Sequence, residues 1–256
     1  MSDSDKIKYP LISIITIVFN NKDNLIKTIK SVREQTYKNI EYIIIDGGST
    51  DGTADIIKEN TDIIYKWVSE PDKGIYDAMN KGLRAATGDY VLYMNAGDEI
   101  YSPETLSETI QPSDEVDFYY GDTELTDTSG KSYGKRTLKT PPDNLTWKKM
   151  IDGMVVTHQS IIAKRVICPE YNLAYPYCAD IDWTIKVLKK SKKTVNTKKI
   201  LSKFLIGGYS RKNTIKSLKE RYRILRTHFN IFAVLLNHVK LSFKFAIYII
   251  RNKRIL

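Results

Sequence analysis

The sequence predicts an α/β protein with a mostly parallel central sheet flanked by helices. Short, almost wholly apolar runs alternate with helical segments of roughly 10–15 residues, which is the pattern of βαβ units. Three of these runs end in a cluster of polar residues. With 256 residues, 42% of them hydrophobic, the chain is long enough to bury a core of this kind.

The first half contains the predicted strands, at residues 11–19, 40–45, 63–68 and 90–94. These runs are rich in isoleucine and valine, as expected of strands that are covered on both faces. Helices are predicted at residues 21–35, after the turn at 49–51, and at 75–86, because their apolar residues recur at helical spacing. In such a sheet, ligands bind beyond the carboxyl ends of the strands.

The alternation breaks down from about residue 111. Residues 116–120 predict an edge strand, and Ser129-Gly130 predicts a hairpin turn. Helices are predicted at 144–150, after a Pro-Pro pair, and at 181–188. The second half therefore has the weaker pattern.

The polar clusters at the strand ends allow two interpretations each. The glycine pair of residues 46–53 (DGGSTDGT) would let the backbone approach a phosphate, or would simply form a capped turn. The acids of residues 95–99 (NAGDE) would hold Mg²⁺ or Mn²⁺, or would form a solvated acidic turn. Neither segment matches a dinucleotide fingerprint or a P-loop.

Charge is divided unevenly along the chain. Residues 183–256 contain 20 Lys or Arg and one acid, Glu220, whereas residues 1–182 contain 20 basic and 29 acidic residues. A basic tail on an acidic body indicates an anionic partner, either nucleic acid or a membrane surface. Two cysteines are too few for a disulfide framework, and the opening residues lack a signal segment, so we expect a cytosolic protein.

Four segments, in order, resemble the family 2 glycosyltransferases, which are inverting enzymes of the GT-A fold in bacterial polysaccharide assembly. They are residues 16–21 (TIVFNN), 45–53 (IDGGSTDGT), 70–82 (EPDKGIYDAMNKG) and 87–99 (TGDYVLYMNAGDE). The resemblance is dense over residues 11–105 and thinner to about 205. It implies a GT-A fold with a nucleotide-diphospho-sugar donor seated on the N-terminal half.

The resemblance also implies donor-binding residues, which follow the strand ends and the third of these segments. They are Phe19, Asn20, Asp46, Glu70, Asp72, Asp77, Asn80 and Asn95. The family's metal motif is Asp-x-Asp, but Asn95 and Gly97 stand at two of its places here. Asp98 is then the predicted ligand of Mn²⁺ or Mg²⁺, and the lost carboxylates put the need for metal in question.

An inverting transfer needs a carboxylate that takes the proton of the acceptor hydroxyl. Residues 177–182 (YCADID) resemble the family's acidic motif, and the alignment favours Asp180 as the base, with Asp182 as the alternative. His158, in a stretch resembling the family's acceptor side, is a further candidate or a structural histidine. Trp147 and Trp183 would stack on sugars or pack in the core, and the core is the better expectation.

The tail favours a membrane over nucleic acid. Residues 229–250 are apolar but interrupted by lysines, which argues against a membrane-spanning helix. On a helix, Asn237, Lys240, Lys244 and Arg251 would form one polar stripe, typical of a helix lying in the membrane interface. Packing of this segment on the core is the competing interpretation. We therefore expect three parts: residues 9–112 for the donor, 113–208 for the acceptor, and 209–256 as the basic amphipathic tail.

Together these observations predict an inverting glycosyltransferase, peripheral on the inner face of the cell membrane. It would move a sugar from a nucleotide diphosphate, UDP by family frequency, to a lipid-diphosphate-linked saccharide. The product would be O-antigen, capsule, exopolysaccharide or lipopolysaccharide. The alternative, motivated by the reduced metal motif, is a catalytically weakened partner subunit that binds nucleotide-sugar or membrane.

Overall fold

The sheet contains nine strands in the part of the chain that the structure, a computed structural model, describes: residues 9–112, 115–137, 139–207 and 214–252. The side chains of residues 214, 242 and 244–252 are outside that description. The strands are β1 Ile12–Val18, β2 Ile40–Asp46, β3 Lys66–Ser69, β4 Tyr90–Tyr93, β5 Glu99–Ile100, β6 Phe118–Thr126, β7 Ser132–Lys135, β8 Ile161–Lys164 and β9 Thr194–Leu205. Their order is β3-β2-β1-β4-β8-β6-β9-β5, with β7 paired to β6.

Seven helices accompany the sheet in the described residues. They are α1 Lys22–Arg33, α2 Thr53–Glu59, α3 Ile75–Ala85, α4 Thr105–Thr109, α5 Ala179–Lys190, α6 Thr214–His228 and α7 Ile231–Asn252. Three short 3-10 helices lie at Trp147–Asp152, His158–Ser160 and Arg165–Ile167. The predicted α/β class is confirmed.

The N-terminal half is the predicted parallel unit. Strands β3, β2, β1 and β4 all run in the same direction. Alternate residues of β1 enter opposite cores: Ile15 packs with Met79 of α3, and Ile14 packs with Leu25 of α1. Gly82 permits the first contact, since a Cβ there would lie 2.3 Å from the Ile15 side chain. Continuous apolar sequence was the right signal because both faces of β1 are buried.

The second half differs from its predictions in two places. Strand β6 is not an edge strand, because it pairs with β8 on one side and with β9 on the other. The helix predicted at residues 144–150 is a 3-10 helix at Trp147–Asp152. The Ser129-Gly130 turn is confirmed between β6 and β7, with Gly130 in the left-handed region at φ 84°.

The basic tail begins with helices that pack on the body. Ile224 and Leu225 of α6 and Val234 of α7 are fully buried in the main core. Asn237 is also buried, and its amide donates to the Ile151 carbonyl at 2.8 Å. The predicted polar stripe is therefore wrong at Asn237, while Lys240 is exposed. The side chains of Lys244 and Arg251 and the predicted boundary at residue 209 lie outside the described residues.

Candidate active site

The carboxyl ends of β1, β2 and β4 bring the three predicted polar clusters side by side. Val18 and Asp46 are neighbours in the β1–β2 register. The Gly47 amide donates to the Val18 carbonyl at 2.9 Å, and the Ala96 amide donates to the Ile17 carbonyl at 3.1 Å. The Asn21 side chain donates to the Ala96 carbonyl at 3.3 Å. One edge of the sheet, formed by the carboxyl ends of β1, β2 and β4, thus contains all three clusters, and we call it the cleft edge.

Asp46 fixes the turn at the centre of this edge. Its carboxylate is fully buried and accepts hydrogen bonds from the Ser49 amide, the Ser49 hydroxyl and, at 2.6 Å, the Ser69 hydroxyl. Ser69 is the last residue of β3, so Asp46 ties two strand ends together. The capped-turn interpretation of residues 46–53 describes these contacts. Asp51 caps α2, since its carboxylate accepts from the Thr53 amide at 3.0 Å.

Phe19 and Asp72 both pack against Gly47 at this edge. A Cβ at Gly47 would lie 2.5 Å from Asp72 Oδ2 and 3.2 Å from a ring carbon of Phe19, so a larger residue there would displace these side chains. Phe19 is 62% exposed, which leaves its ring accessible to a ligand. Asn20 adopts φ 46°, and its side-chain oxygen accepts from the Thr50 amide at 2.8 Å. Asn20 therefore joins the end of β1 to the turn that follows β2.

The other predicted donor residues divide into exposed and buried ones. Glu70 is exposed and pairs with Lys81 at 2.8 Å, and Asp77 accepts from the Lys73 amide at 3.0 Å. Asn80 is only 2% exposed, and its amide both donates to the Tyr171 carbonyl and accepts from the Tyr171 amide. The structure thus brings Asn80 to the backbone of Tyr171 and not to the cleft surface.

Asp98 is buried beneath the cleft edge. Its Oδ2 accepts from Gln159 Nε2 at 2.7 Å, and its Oδ1 accepts from the Leu205 amide at 3.0 Å. Burial raises the pKa of Asp98 to about 7, although these two hydrogen bonds oppose the increase. The carboxylate joins the end of β4 to the His158–Ser160 turn and to the end of β9.

The residues around Asp98 do not fit a divalent cation. Both carboxylate oxygens are already occupied by N–H donors, and the described residues contain no group of three or more His, Cys, Asp or Glu placed to hold an ion. Asn95 Oδ1 is buried without a hydrogen-bond partner among the described residues, but it is a single neutral oxygen. A divalent cation needs several oxygen ligands.

Asp180 lies in the first turn of α5 and contacts the donor half directly. The Tyr76 hydroxyl, at the start of α3, donates to Asp180 Oδ1 at 3.2 Å. Burial raises the pKa of Asp180 to about 6, while the Tyr76 and Ile181 hydrogen bonds lower it. A carboxylate with such a pKa is ionised at neutral pH and basic enough to accept a proton.

Asp182 is buried and paired within the protein, and its role as an acceptor-side residue or alternative base stays a prediction. It is 3% exposed and pairs with His228 of α6 at 2.7 Å and with Lys186 at 2.7 Å. Residues that are two positions apart on a helix point in different directions. Asp182 therefore points to α6, whereas Asp180 contacts Tyr76.

His158 lies in the core, as its interpretation as a structural histidine expects, and its acceptor-side role stays a prediction. Its Nε2 lies 2.8 Å from the Tyr171 hydroxyl, and its ring packs against Tyr93 and Trp183. Burial lowers its pKa to about 3, so the ring is neutral at physiological pH. The core prediction for Trp183 is confirmed by its 1% exposure, whereas Trp147 stacks on Phe229 beneath Lys189.

The sequence analysis missed Tyr76 and Gln159 as parts of the site. Tyr76 stacks on Tyr171 at 5.5 Å as well as binding Asp180, and so joins the donor half to the acceptor half. Gln159 is the side chain that engages Asp98. Both lie inside segments that resemble family motifs. The sequence alone, however, does not show whether a buried residue joins two segments by a hydrogen bond or only packs in the core.

The fold is that of known GT-A glycosyltransferases. TarS 1-349 of S. aureus, solved in complex with UDP-GlcNAc, superposes with a TM-score of 0.65 at 17% identity, covering 85% of this chain and 65% of that one. The mannosyltransferase PcManGT of Pyrobaculum calidifontis, solved with GDP-Man and Mn²⁺, gives a TM-score of 0.64 at 15% identity, covering 91% and 70%. Divalent metals are common among such enzymes.

Curated relatives carry the same activity class in their names. An uncharacterized glycosyltransferase of Mycobacterium tuberculosis is 41% identical over 103 residues, but the match spans only 40% of this chain and 39% of that relative. The PGL/p-HBAD biosynthesis glycosyltransferase of Mycobacterium bovis is 34% identical over 69% of each chain. An Escherichia coli protein, the UDP-Glc:alpha-D-GlcNAc-diphosphoundecaprenol beta-1,3-glucosyltransferase WfaP, is 28% identical over 85% of this chain and 86% of its own.

The sequence model of Glycosyl transferase family 2 matches residues 13–168. This range includes nearly all of the four parallel strands and the three polar clusters that follow β1, β2 and β4. The chain is therefore a glycosyltransferase and belongs to family 2.

Proposed function

We propose that this enzyme transfers a sugar, with inversion, from a UDP-sugar to a lipid-diphosphate-linked saccharide in the synthesis of a surface polysaccharide such as O-antigen, capsule, exopolysaccharide or lipopolysaccharide. The activity that the name of WfaP gives, transfer from UDP-Glc to alpha-D-GlcNAc-diphosphoundecaprenol, supports both substrate classes. The complex of TarS with UDP-GlcNAc supports the nucleotide.

The Tyr76–Asp180 contact is the observation that carries this proposal. It joins the first turn of α3, which follows the donor residues Glu70 and Asp72, to the first turn of α5. The only other acid in that turn of α5, Asp182, is already paired with His228 and Lys186. Asp180 is therefore our candidate for the general base.

The reaction then follows a single in-line displacement. The acceptor hydroxyl oxygen attacks the anomeric carbon while Asp180 takes the hydroxyl proton. The bond between that carbon and the phosphate oxygen breaks, and UDP leaves with the bonding electrons. Attack opposite the leaving group inverts the anomeric centre, so an α-linked donor gives a β-linked product.

We assign the donor seat to the surface formed by Phe19, Gly47 and Asp72. The exposed ring of Phe19 suits an aromatic base, and Asp72 beside it offers a carboxylate to hydroxyl or N–H groups. Asn20 and Asp46 shape the turn beneath. Glu70, Asp77 and Asn95 border the sugar end of the same cleft in this proposal, while Asn80 positions Tyr171.

The predicted dependence on Mn²⁺ or Mg²⁺ stays a prediction. Because the residues around Asp98 do not form a ligand set, no step of the proposed mechanism depends on a metal ion. Asp98 has a different role in the proposal, as the link that joins Gln159 and the Leu205 backbone to the cleft edge.

We also propose that α7 rests on the anionic inner face of the cell membrane. Its residues Phe232, Leu235, Leu236, Val239 and Phe243 recur at helical spacing and are 47–72% exposed. Such a face buries itself at a lipid interface, and nearby basic residues add about 1 kcal/mol each in attraction to anionic lipid. In the described residues no helix is long and apolar enough to cross a membrane.

A transfer assay with UDP-sugars and a synthetic alkyl-diphosphate-linked saccharide tests the function. We expect a β-linked product by NMR, and a loss of about 10²–10⁴-fold in kcat for Asp180→Asn. Asp182→Asn is the matched control, with kcat reduced far less. Absence of turnover with every UDP-sugar, in wild type as in the variants, would favour the non-catalytic partner subunit.

A further inference from the structure

Three cationic side chains from separate segments meet beside the first turn of α5. Arg136, which follows β7, donates to Thr157 Oγ1 at 2.9 Å and to the Met154 carbonyl at 3.0 Å. Arg221 of α6 donates to the Asp152 carbonyl at 2.8 Å. Lys139 lines one cavity with Arg136 and Thr157, and the charges of Arg136 and Arg221 both lower its pKa. We call these three residues the basic cluster.

The basic cluster carries more positive charge than its surroundings neutralise. None of its members forms an ion pair within 4.0 Å of a described carboxylate. Asp122, which lines one cavity with Arg136 and Lys139, is already paired with Lys135 at 2.7 Å. The other opposing groups are the Asp152 carboxylate and the Cys178 thiol, and burial raises the pKa of that thiol to about 12, so it is neutral. Burial, and then repulsion from the arginines, lowers the pKa of Lys139 to about 8.

Two details show hydrogen-bonding capacity that the protein itself leaves unused. Arg221 Nε is buried and has no hydrogen-bond partner among the described residues. The guanidinium lies flat against Gly153, where a Cβ would approach Arg221 Cζ to 2.7 Å. Gly153 also has φ 82°, so glycine is needed there for both reasons. An unpaired guanidinium N–H is a strong donor for an anion.

The position of the basic cluster relates it to the reaction centre. Cys178, which interacts with Lys139 and Arg221, is two residues before Asp180. Thr157, which binds Arg136, is two residues before Gln159, the partner of Asp98. The cluster therefore lies between the first turn of α5 and the buried link at the cleft edge.

We propose that Arg136, Lys139 and Arg221 form a binding site for a diphosphate group. This inference rests on the proposed function, which offers two sources of that chemistry: the pyrophosphate of the UDP-sugar and the diphosphate of the lipid-linked acceptor. Two guanidinium groups and an ammonium match the charge and the oxygen geometry of a diphosphate. If the donor is the source, the same cations stabilise the charge that develops on departing UDP.

Calorimetric titration with inorganic pyrophosphate and with farnesyl diphosphate, in EDTA buffer with and without saturating UDP, tests the site. We expect Lys139→Met and Arg221→Gln to weaken binding by about tenfold or more. Lys30→Ala, which removes an exposed charge of α1 paired with Glu34, is the control and should bind like wild type. A thermal melt of each variant shows that it is folded.

The UDP arm separates the two sources. Diphosphate binding that persists beside UDP assigns the site to the acceptor, whereas displacement by UDP, with UDP itself bound more weakly by the variants, assigns it to the donor. Unchanged affinities in Lys139→Met and Arg221→Gln, or no binding of either probe to wild type, overturn the inference. Sugar transfer is measured separately. If the wild type transfers sugar but the variants bind diphosphate with unchanged affinity, only the diphosphate site is refuted. If the wild type binds diphosphate but transfers no sugar, the proposed function is refuted.

Discussion

Asp98 is buried and Asp180 is partly buried, and this burial raises the pKa of each carboxylate, to about 7 and about 6. Their partners differ. Asp180 accepts a hydroxyl from the donor half, whereas Asp98 accepts two N–H groups that join distant segments. At the residue scale, the hydrogen-bond partners therefore distinguish Asp180, our candidate base, from Asp98, which joins separate segments of the fold.

The pH profile of the enzyme should report Asp180. Because a base must be ionised, kcat/KM should decline below pH 6 with an apparent pKa near 6. Tyr76→Phe removes a hydrogen bond that lowers this pKa, so the acid limb should move upward by about one pH unit. An unchanged limb in Tyr76→Phe would contradict the assignment.

The ionised form of Asp180 should also lower the free energy of unfolding, because its carboxylate is desolvated in the folded state. Its folded-state pKa is raised, so its contribution to stability is present in acid and lost as the pH rises through about 6. Asp180→Asn at pH 8 should therefore have a Tm no lower than wild type, even though it is inactive. A large decrease in Tm would mean that the variant loses activity through unfolding.

Asp98→Ala distinguishes a structural link from a metal ligand. Loss of the acceptors for Gln159 and for the Leu205 amide leaves buried donors unpaired, at about 1–3 kcal/mol each. We expect a lower Tm in EDTA as well as in Mn²⁺, measured by calorimetry. A Tm that decreases only in the presence of Mn²⁺ would show that Asp98 acts through the metal.

At the scale of elements, α6 holds the start of α5 in place. Glu220, the one acid of the basic tail, accepts from the Tyr177 amide at 2.8 Å and from the Cys178 amide at 2.6 Å. His228, at the other end of α6, pairs with Asp182. Helix α6 is thus packed against the body of the protein next to Asp180.

Glu220→Ala should therefore impair catalysis from a distance. Two amides next to Asp180 lose their acceptor, which we expect to lower the Tm by about 3–8 °C and to reduce kcat more than KM. The neighbouring exposed residue Lys219 provides the control, because Lys219→Ala changes no such contact. Steady-state kinetics with a water-soluble acceptor checks this, and equal kcat values in the two variants would argue against it.

The strands β1, β2 and β4 could be predicted because they are buried on both faces and are followed by polar residues. The same signal is absent from β9, most of whose residues are only partly buried and which includes three lysines. The resemblance to the family favoured Asp180 over Asp182 as the base. The pairing of Asp182 with His228, 46 residues away in the chain, supports that proposal, and this contact could not be predicted from the sequence.

At the scale of the whole molecule, the unpaired apolar face of α7 stands opposite the surface by which that helix packs on the body. Phe232→Ser with Leu236→Ser and Phe243→Ser should abolish flotation with vesicles containing phosphatidylglycerol, while leaving transfer to a water-soluble acceptor intact. Wild type should bind neutral vesicles more weakly than anionic ones, and it should dissociate from anionic vesicles at high salt. Equal flotation of the triple variant would refute the docking face.

The position of β6 between β8 and β9 has a consequence for biosynthesis. Both of its neighbours come later in the chain, and β9 ends only at Leu205. A ribosome therefore releases the four parallel strands and then β6 well before β8 and β9 are available. Until then β6 can pair only with β7, at residues 124 and 126. During that interval an uncapped, apolar strand is open to pairing with another nascent chain, so slow translation or crowded expression should favour aggregates over the finished enzyme.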